Sequence, residues 1–202
     1  MPTIHIEADP ASLAQAFAAW VSEQIPAEGP YHIALSGGST PKLLFAHWAA
    51  EYQDRLPWNR IHFWWGDERC VPPNDADSNY RMTKELLLDH VSIPVKNIHR
   101  VEGEIAPDQA AVNFAADMKQ SMPIENGLPK FDLIILGMGA DGHTASIFPH
   151  EMELLEESNW TAVATHPESG QKRVTLTGSV LNAAGKIAFL VAGASKLEKV
   201  TA

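Results

Sequence analysis

The sequence predicts an α/β fold, a mostly parallel sheet with helices on both faces. Three observations predict it. Segments with helical spacing of apolar residues alternate with short apolar runs, the pattern of buried strands joined by crossover helices. Glycine-bearing loops stand directly after several of those runs, where ligands bind in such sheets. The 202 residues are 45% apolar and 20% charged, which suffices for a core and excludes a disordered or collagen-like chain.

Each element follows from a local pattern. After Asp9-Pro10, the residues Leu13, Ala16, Phe17, Trp20 and Val21 recur at helical spacing, so a helix is expected over residues 10–25. Residues 31–36 read as a buried strand, broken by Gly37-Gly38, and residues 41–53 as a helix. Residues 61–66 form the next strand, in which Trp64 and Trp65 are expected to pack one on each face of the sheet. Residues 69–79 are rich in Pro, Asn and Asp and read as a loop. Helices are expected at 80–90 and 108–122. Residues 131–137 are the clearest buried strand, with further strands at 160–165, 173–177 and 187–192 and short helices at 179–184 and 194–201. No repeat or linker interrupts this order, so a single domain over residues 1–202 is expected.

Charge and cysteine usage bound the partners. Lys and Arg number 15 against 25 Asp and Glu, a net charge of −10. Nucleic acid is therefore not an expected partner, because a polyanion needs a broad basic surface. A small anion in a cleft stays compatible with this balance. Cys70 is the single cysteine, which fits a reducing compartment. The first ten residues carry Glu7 and Asp9 and do not read as a targeting peptide. The apolar run at 187–192 is far shorter than the ~18 residues needed to span a bilayer, so a cytoplasmic location without a membrane partner is expected.

The residues after each strand carry the candidate chemistry. Ser36-Gly37-Gly38-Ser39-Thr40-Pro41 feeds a helix N-terminus, with Ser39 or Thr40 suited to the cap and Pro41 to the first helical position. Such a loop is either a phosphate site or a plain capped turn. Gly66-Asp67-Glu68-Arg69 is equally a catalytic carboxylate site or a solvated surface. Gly137-Met138-Gly139-Ala140-Asp141-Gly142-His143-Thr144 fits the dinucleotide pattern G-x-G-x-x-G, but Pro149 cuts the following segment short and Asp141 would oppose a pyrophosphate. The preferred reading is a turn in which Asp141 orients and stabilises the His143 imidazole as a base, against the alternative of a structural turn with a surface histidine. The other eight histidines read as packing or surface residues. Arg173 and Lys196 gain meaning only if the fold brings them to one cleft. Cys70 reads as inert, and no spacing suggests a metal site.

Together these segments resemble the 6-phosphogluconolactonase family. The resemblance rests on Leu35-Ser36-Gly37-Gly38-Ser39-Thr40-Pro41, Trp65-Gly66-Asp67-Glu68-Arg69, Asp77-Ser78-Asn79-Tyr80 and the run from Gly137 to Pro149. Arg173-Val174-Thr175-Leu176-Thr177 and Gly193-Ala194-Ser195-Lys196 extend it over nearly the whole chain in order. It implies a Rossmann-like core, shared with glucosamine-6-phosphate deaminase, which carries a further glutamate after its Asp-Gly-His turn. Here Thr144-Ala145-Ser146-Ile147-Phe148-Pro149 has no acid at that place. Members of the family continue beyond the Gly-Ala-Ser-Lys helix, so this chain is expected to lack a C-terminal helix and strand.

The resemblance implies hydrolysis of a sugar-phosphate lactone, 6-phospho-D-glucono-1,5-lactone, without metal or organic cofactor. It places the phosphate on Gly37, Gly38, Ser39 and Thr40 with Arg69, Arg173 and Lys196 as cationic partners. His143 is then the general base, Asp141 its orienting carboxylate, and Asp67 a second polar or orienting carboxylate. The oxyanion donor is a backbone N–H near Gly37-Gly38 or a side chain such as Arg69. A deaminase-like isomerase and a non-catalytic sugar-phosphate sensor are the alternatives.

Overall fold

The computed structural model describes residues 2–201. Helix α1 (Pro10–Gln24) starts where expected, with Pro10 in its first turn and the Asp9 carboxylate accepting the Ser12 N–H at 2.8 Å. Strand β1 (Tyr31–Leu35) is buried at all five residues. Helix α2 (Ser39–Glu51) begins two residues earlier than predicted, because Gly38 at φ 103° supplies the sharp entry. Strand β2 (Ile61–Trp65) then leads through Gly66 into a short strand β3 (Asp67–Arg69). Helix α3 (Asn79–Leu86) and helix α4 (Pro107–Ser121) follow.

A small hairpin, β4 (Ile124–Glu125) and β5 (Leu128–Pro129), turns at Asn126-Gly127, both at positive φ. Strand β6 (Leu133–Leu136), strands β7 (Thr161–Thr165) and β8 (Lys172–Leu176), helix α5 (Gly178–Asn182), strand β9 (Ile187–Phe189) and helix α6 (Leu197–Thr201) complete the order.

The central sheet is parallel, in the order β2-β1-β6-β9. Alternate residues of its strands enter two cores. Ile33, Leu35, Phe63, Trp65, Leu133 and Ile135 face α1 and α2. Ala34, Trp64, Ile134 and Leu136 face α4 and α5. Trp64 and Trp65 are both fully buried on opposite faces, as alternation requires. Their indole N–H groups donate to His32 Nδ1 and Thr83 Oγ1.

Two predicted strands do not join this sheet. β7 and β8 pair antiparallel with each other, and β8 pairs antiparallel with β3, in a separate sheet of order β3-β8-β7. Gly66 is the joint between the sheets. Its N–H donates to Leu35 O at 2.8 Å and its carbonyl accepts from Leu176 N at 2.9 Å. The loop expected from residue 69 onward therefore begins only after β3 has paired with β8. No helix is long and apolar enough to cross a membrane among the described residues.

Candidate active site

At the C-terminal ends of β1, β2, β6 and β9 lies a cleft of about 240 Å³. Its walls include Gly37, Gly38, Ser39, Thr40, Asp67, Arg69, His143, Arg173 and Lys196. Asp141 stands behind His143 and does not line the cleft. The topology assembles them: β1 delivers the glycine loop, β3 delivers Asp67 and Arg69, β6 delivers His143, β8 delivers Arg173, and the turn after β9 delivers Lys196.

The glycine loop meets α2 without a side-chain cap, and Pro41 is the third helical residue. Neither Ser39 nor Thr40 caps the helix, contrary to the sequence reading; both lie in its first turn, where N–H groups lack intrahelical partners. An uncapped N-terminus lining a cleft suits an anion. Gly37 has a steric reason: a Cβ there would run into the Asn79 amide.

β3 places its residues by alternation and register. Asp67 lies opposite Thr175 and Arg69 opposite Arg173. Asp67 is buried and its Oδ2 accepts from Ser146 Oγ at 2.6 Å, with Arg173 Nη1 at 3.8 Å. Burial lowers the Arg173 guanidinium from its ordinary range, opposed by the Asp67 carboxylate. The Nε–H groups of Arg69 and Arg173 are buried and lack hydrogen-bond partners among the described residues.

Glu68 serves a different purpose from its neighbours. Its carboxylate accepts from Arg69 N, Asn79 N, Tyr80 N and Ser78 Oγ, which ties β3 to the start of α3. Burial pushes it above the ordinary carboxylate value, and these backbone donors partly offset the rise. Glu68 is thus a structural carboxylate.

The turn after β6 closes on itself. Gly139 N donates to His143 O at 2.8 Å, and Thr144 Oγ1 donates to Gly137 O at 3.0 Å. No helix opens there, so a pyrophosphate would find no helix dipole and the dinucleotide pattern has no structural counterpart. The turn instead sets His143 Nδ1 2.6 Å from Asp141 Oδ1. A carboxylate only accepts, so Nδ1 carries the proton and Nε2 keeps the basic lone pair. Burial raises the Asp141 carboxyl, but the His143 N–H, ring and charge outweigh it and hold it below the usual range.

Two cleft-side groups had no role assigned from sequence. Asn79 donates its amide to Asp67 O at 3.0 Å, and its Oδ1 is buried without a partner among the described residues. Ser146 is fully buried against Asp67, set there by a tight turn with Ala145 at φ 49°. Both lie in segments that carried the resemblance, yet nothing local marks them as site residues. Burial and then nearby Glu68 push the Cys70 thiol above its ordinary range. Among the described residues, no cluster of three or more His, Cys, Asp or Glu is arranged to hold a metal.

Residues 7–202 match the family described as glucosamine-6-phosphate isomerases/6-phosphogluconolactonase. The chain is 45% identical over 192 residues to a 6-phosphogluconolactonase of Treponema pallidum, covering 95% of this chain and 80% of that one. It is 48% identical over 170 residues to the Haemophilus influenzae protein of the same name, covering 84% and 71%. Among solved structures, the 6-phosphogluconolactonase of Trypanosoma brucei superposes with a TM-score of 0.89 at 32% identity, over 99% of this chain and 85% of that one. With a cleft built from the family's ordered segments and a match over nearly its full length, the chain belongs to the glucosamine-6-phosphate isomerase/6-phosphogluconolactonase family.

Proposed function

We propose that this chain hydrolyses 6-phospho-D-glucono-1,5-lactone to 6-phosphogluconate by general-base activation of water. The observation that carries the reading is His143, held from behind by Asp141, on the wall of a cleft that also holds an uncapped helix N-terminus and three cations. Relatives at 45% and 48% identity bear the lactonase name.

In this mechanism the phosphate sits on the Gly37-Gly38 loop and the first turn of α2 at Ser39 and Thr40. Arg69, Arg173 and Lys196 supply charge, the arginines as forks and the lysine as a point charge. His143 Nε2 takes a proton from water as its oxygen bonds to the lactone carbonyl carbon. The tetrahedral oxyanion is met by an N–H at Gly37-Gly38 or by Arg69. The bond to the ring oxygen then breaks, and the imidazolium returns the proton to that oxygen as a hydroxyl. The new carboxylic acid ionises and releases a proton to solvent. Asp141 steadies the imidazolium between these steps. A lactone is an activated ester, so neither metal nor organic cofactor is required.

Asp67 orients the cleft and does not act as a base. Its burial, the Ser146 hydroxyl and nearby Arg173 all engage its carboxylate. This weighs against a deaminase-like isomerase, which uses a base at that position. A cytoplasmic location and a single sugar-phosphate-binding domain complete the proposal, the first supported by the lone Cys70.

The test is lactone hydrolysis above the spontaneous rate, with glucosamine 6-phosphate as the control substrate. Fast hydrolysis with no ammonia release is expected. Ammonia release, or binding of 6-phosphogluconate with no hydrolysis, overturns the reading.

A further inference from the structure

One buried ring outside the roles assigned above touches two of the groups that carry them. Phe148 is 0% exposed. Its ring centroid lies 4.6 Å from that of His143, at an interplanar angle of 53°. The Arg173 guanidinium carbon lies over the same ring at 5.6 Å. The rings of His150 and His166 flank it at 5.8 and 5.4 Å. The tight turn after His143, closed by Ile147 N to Thr144 O at 3.0 Å, brings Phe148 back beside the imidazole.

Neither polar group is otherwise fully held. The His143 ring has one strong tether, Asp141 at Nδ1. Among the described residues, Arg173 Nη1 makes long approaches, 3.5 Å to Ser146 Oγ and 3.8 Å to Asp67 Oδ2, and its Nε has no partner. A planar ring against each limits the rotation that remains.

We propose that Phe148 is a positioning residue, a shared aromatic support that sets the placement of His143 relative to Arg173. The inference rests on the preceding reading of His143 as base and Arg173 as anion ligand. Its physical content exceeds burial. The π-face attracts a guanidinium at all times and an imidazolium when His143 holds the water proton. An aliphatic side chain of similar volume keeps the apolar burial and loses that face.

The experiment compares wild type with Phe148→Leu and Phe148→Met, two aliphatic variants so that folding failure in one leaves the other informative. Steady-state lactone hydrolysis is measured, with the active fraction counted by 6-phosphogluconate binding stoichiometry. KM is expected to rise roughly tenfold, the scale of a desolvated cation–π contact. The kcat per active site is expected to fall about threefold to tenfold as His143 loses its support.

In an Arg173→Gln background, which removes the cation, the KM effect of Phe148→Leu should shrink to near unity while the kcat effect persists. A purely structural role lowers the active fraction and leaves KM and kcat per site unchanged, and that result overturns the proposal. So do KM effects that multiply independently in the double variant. If wild type hydrolyses the lactone and only these outcomes fail, the positioning role alone is wrong. If wild type does not hydrolyse it, the functional reading falls first and takes the inference with it.

Discussion

His143 and Asp141 meet within one turn only because position 139 has no side chain. A Cβ on Gly139 would run into His143 Nδ1 and Asp141 Oδ1 together. Gly139→Ala should therefore separate the pair without removing a catalytic group. We expect kcat to fall by at least tenfold while the thermal midpoint moves by only a few degrees, measured by lactone assay and calorimetry. His143→Ala should lose about 10²–10⁴ in kcat, the usual worth of a general base, with 6-phosphogluconate affinity retained within a few fold. A wild-type-like kcat sinks the assignment of His143. This pair was legible in the sequence because both members lie within a three-residue turn. Asn79 and Ser146 were not, because each acts on Asp67, 12 and 79 positions away. Contacts at that separation leave no local spacing to read.

At the scale of elements, β3 shows how a motif and its structure part company. Its three residues are charged, too few and too polar for any strand period to show. They become a strand because β8, a hundred positions later, offers them a partner. Glu68 then anchors α3 through four accepted hydrogen bonds. Glu68→Ala should leave buried donors unpaired and cost roughly 3–5 kcal/mol in denaturant unfolding, the range for breaking a buried polar network. KM should rise in the same variant, because Arg69 shares that backbone. A loss below about 1 kcal/mol would show that water replaces the carboxylate. The long helices and central strands, by contrast, appeared within a few residues of their expected bounds, since their apolar periods are dictated by burial on known faces. The Asn126-Gly127 hairpin was missed although its turn dipeptide is a recognised signal, because its strands are only two residues each.

Across the whole molecule, a histidine cluster joins the sheet to α4. His32 of β1 and His62 of β2 lie with ring centroids 4.7 Å apart. His62 Nδ1 lies 3.0 Å from His99 Nε2, and His99 Nδ1 lies 3.0 Å from Asp117 Oδ2 on α4. The carboxylate fixes the proton order: His99 donates to Asp117 and accepts from His62. Burial, then His62 and His99, lowers the His32 pKa to about 4. The unfolded chain binds this proton below about pH 6.5, whereas the native ring stays neutral until about pH 4. Stability from His32 is thus complete above pH 6.5 and lost as pH falls to 4, to a limit of about 3 kcal/mol. Thermal midpoints should drop between pH 7 and 5, and His32→Gln, which keeps an acceptor for Trp64, should flatten that drop. An unchanged slope would remove His32 as its source. The α/β class, the order of the main helices and strands, and the loops that bear the chemistry are all legible along the chain, because periodicity and turn residues are local. It takes the folded chain to show that β8 pairs with β3 outside the parallel sheet, which sets Arg173 opposite Arg69 and near Asp67. Strand partners are chosen by non-local hydrogen bonds and shared burial, and neither leaves a period in the chain.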